Sequence, residues 1–555
     1  MTFHIKEVNM PKLLTVATAR RIEQEANANG FSSAQMMEIA GSGLAAVIEE
    51  EFGYLAEVGA MGLIGPGNNG GDTLVTLYYL AKRGWHTAAY IVGKRSTKDA
   101  LIARLQDTNC ELVYAGKDVG FHQLDELMLQ KYVWLDGILG TGSKLPLSDE
   151  IGRLLNYIKQ KVIEKKPPCH VIAVDCPTGV NCDTGEAAPE TIAASMTVIM
   201  GDVKVGLLRF PAFKLLGDIR VIDIGIPKNL PTYQDIKDVV ADTEQIKRIL
   251  PTYPLAPYDG NLGKLLIIGG SVNYSGAAYL AGKAACRIGI GQVLMGVPDP
   301  LYEAMAGQFP EAIWLLLPHE MGVIAEGAVN LVQKNLEGVS ALLLGPGLGE
   351  EDTTKDFVDQ LLNTDSSSKR HGIGFVQSSP ASKSGSPRLN LPPMILDTGT
   401  MRLLEKLPSW VARLSAPAIL IMEPRDMLKT AGMDADDILS DRLGISKRFA
   451  AEWGHVLVLT GIPSIIAAPD GQATVVPITT PALAKAGADY ILAGIIAGLR
   501  AQGIASYPAA IAGTWLHAMA GKVAVDKLGG SAPVMASDIL SAVPDVMRNL
   551  NLGKY

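Results

Sequence analysis

The chain reads as an α/β protein of two domains, each built on a largely parallel sheet. Two observations carry this. Near-continuous Val/Ile/Leu runs alternate with helical stretches in two successive series, as strands buried on both faces require. A mostly polar stretch near residues 228–260, holding Pro227, Pro231, Pro251, Pro254 and Pro257, separates the series. It places the domain boundary near residue 245, giving domains 1–245 and 246–555 of a 555-residue chain.

In order, residues 14–50 show helical periodicity twice, in TVATARRIEQEA and in SSAQMMEIAGSGLAAVIEE. The strands of the first series are AMGLIG (60–65), TAAYIVG (87–93), YVWLDGILG (132–140), CHVIAVD (169–175), MTVIMG (196–201) and IRVIDIG (219–225). The second series starts at KLLIIGGS (264–271) and continues through QVLMGV, ALLLGPGLG, MILDTG, AILIME and HVLVLTG. Residues 365–388, rich in Ser, Lys and Gly, read as a flexible insertion on the second domain, which discounts His371 as a catalytic group.

Composition narrows the function classes. Hydrophobic content of 48% and charged content of 19% describe a soluble globular protein. The net charge of −8 argues against nucleic acid as the main partner, because neutralising phosphates takes a basic footprint. No apolar run is long enough to span a bilayer, and MTFHIKEVNMPKLL lacks a signal-peptide core. Cys110, Cys169, Cys176, Cys182 and Cys286 form no CxxC pair, so structural zinc and a disulfide framework are not expected, and the cytoplasm is the expected compartment.

The most informative segment is Leu63–Tyr79, LIGPGNNGGDTLVTLYY: an apolar strand, a glycine-rich turn and the start of a helix. Glycines let backbone N–H groups approach a ligand, and the helix N-terminus adds unpaired donors suited to phosphate. The spacing is neither GxGxxG nor GxxxxGK[ST], so an ordinary dinucleotide fold or P-loop is not indicated. A glycine turn alone is only a tight strand-to-helix connection; Asn68, Asn69 and Asp72 beside it favour a ligand site. Two further strand ends carry carboxylates: Asp136, before GILGTG, and Asp175, before Cys176-Pro177-Thr178-Gly179. Ligands of open α/β sheets bind along that edge. A lone carboxylate there can be a turn cap. Oxygens of Asn69, Asp136 and Thr178 could also enclose a hard cation, with K⁺, Na⁺ and Mg²⁺ all open.

These motifs, in this order, resemble the N-terminal domain of the NAD(P)H-hydrate repair enzymes, the hydrate epimerase family. GPGNNGGDT matches the family's GPGNNGGDG with one change, at Thr73. VDCPTGVNCDTG matches VDxPSGxxxDTG, with Thr178 keeping the hydroxyl of Ser. MGDVKVGLL (200–208), which contains Lys204, and IDIGIP (222–227) also fit. The resemblance implies interconversion of the R and S epimers of hydrated NADH and NADPH on a Rossmann-like three-layer sheet. It implies that Asp175 is the acid/base group and that Asn69, Asp136 and Thr178 hold K⁺. Asn68, Asn69, Gly70, Gly71 and Asp72, with Gly140, Thr141, Gly142, Ser143, Lys144, Leu145 and Pro146, would line the substrate.

Residues from about 258 to 551 resemble the ribokinase-like dehydratase domain that follows the epimerase in bifunctional members. The carriers are GKLLIIGGSVNYSGAAYLAGKAACRIGIGQV, LLLGPGLGE (342–350), GIIAGLRAQG (494–503) and GTWLHAMAGKVAVDKLGGSAPVMASDIL. In the family this domain uses ADP or ATP to phosphorylate the S-hydrate, which then loses phosphate. By resemblance, Ala277, Gly347, Gly349 and Glu423 would meet the substrate, and Thr460, Gly461, Ser464, Asp489 and Tyr490 the nucleotide.

Five ligand-facing loops depart from the family. GGxGD reads Lys485-Ala486-Gly487-Ala488-Asp489-Tyr490, which puts Tyr490 on the catalytic Asp position and Asp489 one residue early. HPGE reads Glu423-Pro424-Arg425-Asp426, the lysine-glycine is Thr460-Gly461, DADA is Asp397-Thr398-Gly399-Thr400, and HKG is Tyr258-Asp259-Gly260. The expectation is an epimerase fused to a dehydratase-like domain whose activity is lost or altered. The alternative keeps both activities, with Lys485 and Asp489 rearranged into service. A non-catalytic scaffold is a third reading, which the intact Asn69, Asp72, Asp136 and Asp175 set opposes. The expected partner is hydrated NADH or NADPH, with no nucleic acid and no membrane, and the default assembly is a homo-oligomer.

Overall fold

A computed structural model describes residues 3–5, 10–96, 99–252, 262–363, 391–414 and 417–553. The 365–388 insertion and Tyr258-Asp259-Gly260 lie outside the described residues. The chain divides into two compact units, Met1–Thr243 and Glu244–Tyr555.

The first unit is an eight-stranded sheet in the order Phe3–Ile5, Asp218–Ile222, Met196–Met200, His170–Val174, Val133–Gly137, Ala60–Ile64, Thr87–Ile91 and Glu111–Tyr114. Every neighbouring pair is parallel. Side chains alternate between two buried clusters: Ala60 and Ile64 join one, Met61 and Leu63 the other. That alternation is the period of a strand covered on both faces, which makes the unit three-layered. The two N-terminal helices are Val16–Ala28, capped by Thr15, and Ser33–Phe52, opened by a Ser32/Gln35 capping box. Close packing demands glycine here: a Cβ at Gly41 would lie 2.5 Å from Val75, and one at Gly62 2.8 Å from Thr73. Glu111–Tyr114, which the apolar runs did not announce, is an edge strand with only Val113 buried.

In the second unit the strands run Ala473–Val476, Ser464–Ala467, Val456–Leu459, Ile419–Met422, Met394–Leu396, Ala341–Leu344, Lys264–Ile268, Gln292–Pro298 and Ile313–Leu317. Pairing is parallel except that Ser464–Ala467 runs antiparallel to both its neighbours, Ala473–Val476 and Val456–Leu459. The helix Ala488–Ala501 packs tightly on Ala277–Arg287, since a Cβ at Gly494 would lie 2.1 Å from the Ala281 carbonyl oxygen.

In each sheet the chain order reverses at one place. These are the junctions of Ala60–Ile64 with Val133–Gly137 and of Lys264–Ile268 with Ala341–Leu344. Ligands of open α/β sheets settle at such reversals.

Candidate functional sites

At the reversal in the first unit lies a cavity of about 410 Å³, lined by Arg20, Glu23, Met36, Met37, Pro66–Asn69, Asp72, Ile138–Ser143, Asp175, Met200 and Lys204 among others. The sequence suggests that Asn68–Asp72 lie in a loop; they form the first turn of the helix Asn68–Lys82, behind Gly67. The first N–H groups of that helix have no intrahelical acceptors and face the strand ends. Arg95 braces the turn, donating from Nη1 to the carbonyls of Gly65 at 2.9 Å and Gly67 at 3.2 Å.

Not every residue expected at the substrate lines the cavity. Asn68, Asn69, Asp72 and Gly140–Ser143 do; Gly70, Gly71, Lys144, Leu145 and Pro146 do not. Gly70 and Gly71 face protein instead. A Cβ at Gly70 would lie 2.1 Å from the Gly65 carbonyl oxygen, and one at Gly71 2.6 Å from Met37 Cε. Their work is to let the helix start against the strand end. Thr73, the one departure from the family motif, is fully buried and donates to the Asn69 carbonyl at 2.8 Å. A Cβ at Gly137 would lie 1.9 Å from its Oγ1, so Thr73 fills the space over a bare strand residue.

Asp175 stands at the end of the His170–Val174 strand with φ +64°, a left-handed backbone that non-glycine residues hold only at a cost. Its Oδ1 accepts from Lys204 Nζ at 2.7 Å and from Met200 N at 3.1 Å. The paired side chains are 6% (Lys204) and 13% (Asp175) exposed. Burial alone would pull the Lys204 ammonium down, but the Asp175 carboxylate more than reverses this and holds it above its ordinary range. The carboxyl of Asp72 is pushed well above the usual carboxylate range, by burial first and then by the charges of Asp175 and Glu23.

Beside the cavity, Asn69, Asp136 and Thr178 converge on the backbone of Leu139. Asp136 is 2% exposed; its Oδ2 accepts from Thr178 N at 2.8 Å and its Oδ1 from Thr178 Oγ1 at 2.6 Å. Leu139 N donates to Thr178 Oγ1 at 3.0 Å, and Asn69 Nδ2 donates to the Leu139 carbonyl at 3.1 Å. Asn69 Oδ1 is buried and has no hydrogen-bond partner. Burial raises the Asp136 carboxyl despite its bonds to Thr178. The orphaned amide oxygen of Asn69, with the Asp136 carboxyl and the Thr178 hydroxyl in the same hydrogen-bonded group, offers oxygen donors of the kind hard cations take. Among the described residues no group of three or more His, Cys, Asp or Glu side chains could hold a metal ion.

The second unit has a cavity of about 320 Å³ lined by Asn273, Tyr274, Gly347–Glu351, Asp397–Gly399, Arg402, Glu423, Asp489 and Tyr490. Asp489 and Tyr490 sit in the first turn of Ala488–Ala501, behind Gly487 at φ +87°. Asp397 caps its helix, accepting from Thr400 N at 3.0 Å, while its buried Oδ2 has no partner. Burial, and then the charge of Asp489, push the Asp397 carboxyl up to about 7. Burial likewise raises Asp489 and Tyr490. Arg402 is the cation on this wall, and it is already engaged by Asp426 at 2.9 Å and Glu350 at 3.4 Å.

Ala277, Thr460, Gly461 and Ser464 do not line this cavity. Ala277 packs against Gly347, where a Cβ would lie 2.5 Å from the Ala277 methyl. The Thr460 hydroxyl turns back to the Met422 carbonyl at 3.2 Å, and Ser464 Oγ donates to the Gly461 carbonyl at 3.1 Å. The guanidinium of Arg442 donates to the carbonyls of Thr460 at 2.9 Å and Ile462 at 3.0 Å. Burial pushes Arg442 down to about 10.

Sequence reasoning named Lys204 only as part of a motif and passed over Arg20, Glu23 and Arg442. Lys204 lies 29 residues from Asp175, so no local spacing announces their pairing.

Two family models match the chain. One, described as the YjeF-related protein N-terminus, covers residues 33–206. The other, NAD(P)H-hydrate dehydratase, covers residues 265–370 and 386–544. The bifunctional NAD(P)H-hydrate repair enzyme of Moorella thermoacetica is 30% identical over 545 residues, 97% of each chain. The same enzyme of Salinibacter ruber is 28% identical over 93% of this chain and 92% of its own. Among solved structures, the ADP/ATP-dependent NAD(P)H-hydrate dehydratase of Bacillus subtilis, co-crystallised with ATP and Mg²⁺, is 24% identical with a TM-score of 0.45. It covers 56% of this chain and 98% of its own. A ribokinase-like superfamily protein of Enterococcus faecalis is 20% identical with a TM-score of 0.45, covering 57% of this chain and 96% of its own.

Proposed function

Because the chain belongs to the family of bifunctional NAD(P)H-hydrate repair enzymes, we propose that its first unit interconverts the R and S epimers of hydrated NADH and NADPH, and that its second, ribokinase-like unit has lost or altered the nucleotide-dependent dehydration. The observation that supports the first half is the buried Asp175–Lys204 pair in the cavity of the glycine turn. Reversing a centre that carries both a hydroxyl and a ring nitrogen needs a proton-transfer group at the hydroxyl and a seat for the pyrophosphate. Asp175 provides the first. The N-terminus of Asn68–Lys82, with the backbone of Gly140–Ser143 opposite, provides the second.

Asn69, Asp136 and Thr178 would hold K⁺, with the orphaned Asn69 Oδ1 as one donor. Bound there, the cation would neutralise Asp136 and tie the glycine turn to the Leu139 and Thr178 loops.

For the second unit, the cavity that would receive a nucleotide phosphate carries Glu350, Glu351, Asp397, Glu423 and Asp489 against one engaged arginine. Asp489 also supports a second reading, with both activities kept and Asp489 as base, because its carboxylate lines the cavity.

The deciding experiment incubates the protein with R-hydrate NADPH and follows R/S interconversion by chromatography, then offers S-hydrate with ADP and with ATP. Interconversion without nucleotide-dependent NADPH regeneration is the expected result. Regeneration with either nucleotide favours the second reading. An absence of interconversion discards the epimerase.

A further inference from the structure

We propose that Asp72 is a second catalytic residue of the first cavity, the proton donor that works against Asp175. The inference rests on the epimerase reading of that cavity. Asp72 and Asp175 reach the cavity from different walls, one from the first turns of Asn68–Lys82 and the other from the end of His170–Val174.

Their surroundings differ in kind. Asp175 Oδ1 accepts from an ammonium at 2.7 Å and from a backbone N–H at 3.1 Å, so its carboxyl is engaged as an acceptor. Among the described residues nothing donates to the Asp72 carboxyl; only its backbone oxygen is engaged, by Thr76 Oγ1 at 2.8 Å. The charged groups acting on Asp72 are Asp175 and Glu23, which disfavour a second anion, and Lys204 and Arg95, which act the other way with smaller effect; Arg20 shares the cavity. Burial outweighs the two cations, so the Asp72 carboxyl holds its proton more tightly than an ordinary carboxyl does. A donor-free carboxyl raised by burial, sharing a cavity with one engaged by an ammonium, is the arrangement in which the first serves as acid and the second as base.

The step balances without an oxidant or a co-reactant other than water. Asp72 protonates the hydroxyl as its bond to the ring carbon breaks. The lone pair of the ring nitrogen forms the C=N bond, leaving a cyclic iminium ion, a water molecule and the Asp72 carboxylate. A solvent water then adds to the opposite face, and the C=N electron pair returns to nitrogen. The surplus proton of that water passes to Asp175. Exchange with solvent resets the two carboxyls, and the reverse reaction exchanges their roles.

The test uses the full chain, R-hydrate NADPH and water enriched in ¹⁸O. For Asp72→Asn, kcat should fall about 10²- to 10⁴-fold with KM changed less than about threefold. In the unmodified protein kcat should decline as pH rises through the pKa of the donor, and Asp72→Asn should lose that limb. Each S-hydrate formed should carry one solvent oxygen. Retention of kcat within about threefold, a loss confined to KM, or S-hydrate free of ¹⁸O would overturn the proposal. Should Asp72→Asn fail to match the melting midpoint of the parent, the unmodified chain decides: no alkaline limb or no label counts against Asp72. An unmodified protein that does not interconvert the epimers at all removes the epimerase reading itself, a different outcome from an active protein indifferent to Asp72.

Discussion

Lys204 and Asp175 are opposite charges in a setting almost closed to water, so each depends on the other more than a surface pair would. Lys204→Met leaves a buried carboxylate uncompensated and should destabilise the first unit by about 3–5 kcal/mol in urea unfolding. Adding Asp175→Asn should recover most of that loss, and a double variant no more stable than Lys204→Met would show the pair is not the cause. Asn is the right probe at 175 for a backbone reason as well: it tolerates the left-handed φ of +64° and removes only proton transfer and charge. Asp175→Asn should lower epimerisation about 10²- to 10⁴-fold, and because it also leaves the buried Lys204 ammonium unpaired the rate is read well below the melting midpoint of the variant; a near-normal rate would end the assignment of Asp175 as acid/base group. The orphaned Asn69 Oδ1 carries a further expectation. Replacing choline chloride by KCl should raise the melting midpoint of the first unit, and Asp136→Asn should abolish that response. A response that survives in Asp136→Asn places the cation elsewhere.

The proposed loss of the second activity rests on the helix Ala488–Ala501. Its first turn presents Asp489 and Tyr490 to a cavity already crowded with carboxylates, and Tyr490 is raised further from ionisation by burial. ADP- or ATP-driven dehydration of the S-hydrate should therefore be absent or very slow. Ala486→Gly, Ala488→Ser, Asp489→Gly and Tyr490→Asp together with Thr460→Lys should restore part of it, while robust activity of the unmodified chain would make Asp489 the working base. Elements of this kind were the legible ones. Strands such as Ala60–Ile64 are buried at every position and wrote themselves into the sequence as unbroken apolar runs. Glu111–Tyr114 hides because it is only four residues long and opens on the exposed Glu111, too short an apolar run to stand out. The Ser464–Ala467/Ala473–Val476 hairpin could have been read from its Pro469-Asp470-Gly471 turn. At the site, single-residue chemistry was visible at strand ends, but Gly70 and Gly71 show their role as spacers only in three dimensions, where Gly65 and Met37 press on them.

At the scale of the molecule, two compact units imply two unfolding transitions, and the second unit contains buried groups that make its own pH-dependent. Asp397 is fully enclosed, with its carboxyl pushed up to about 7; His517, also enclosed and with no partner on Nε2, is pushed down to about 4 by burial. For Asp397 the folded state holds its proton more tightly than the unfolded chain. Its contribution is complete below the unfolded value of about 3.9 and is lost as pH rises to about 7. For His517 the folded state refuses a proton that the unfolded chain accepts, so stability present above about 6.5 is lost as pH falls toward 4. The two effects run in opposite directions across the same window. Asn is as good a helix cap as Asp, so Asp397→Asn removes the titration with little other disturbance. At pH 8 the ionised, buried carboxylate costs on the order of 4 kcal/mol, and Asp397→Asn should raise the second calorimetric midpoint by several degrees there. At pH 4 the variant should gain nothing. In His517→Gln the acid-side fall of the same transition should flatten, while the transition of the first unit stays where it was in both variants. An equal shift at pH 4 and pH 8 for Asp397→Asn would mean that the cap or the packing, and not the buried charge, sets the stability of this unit.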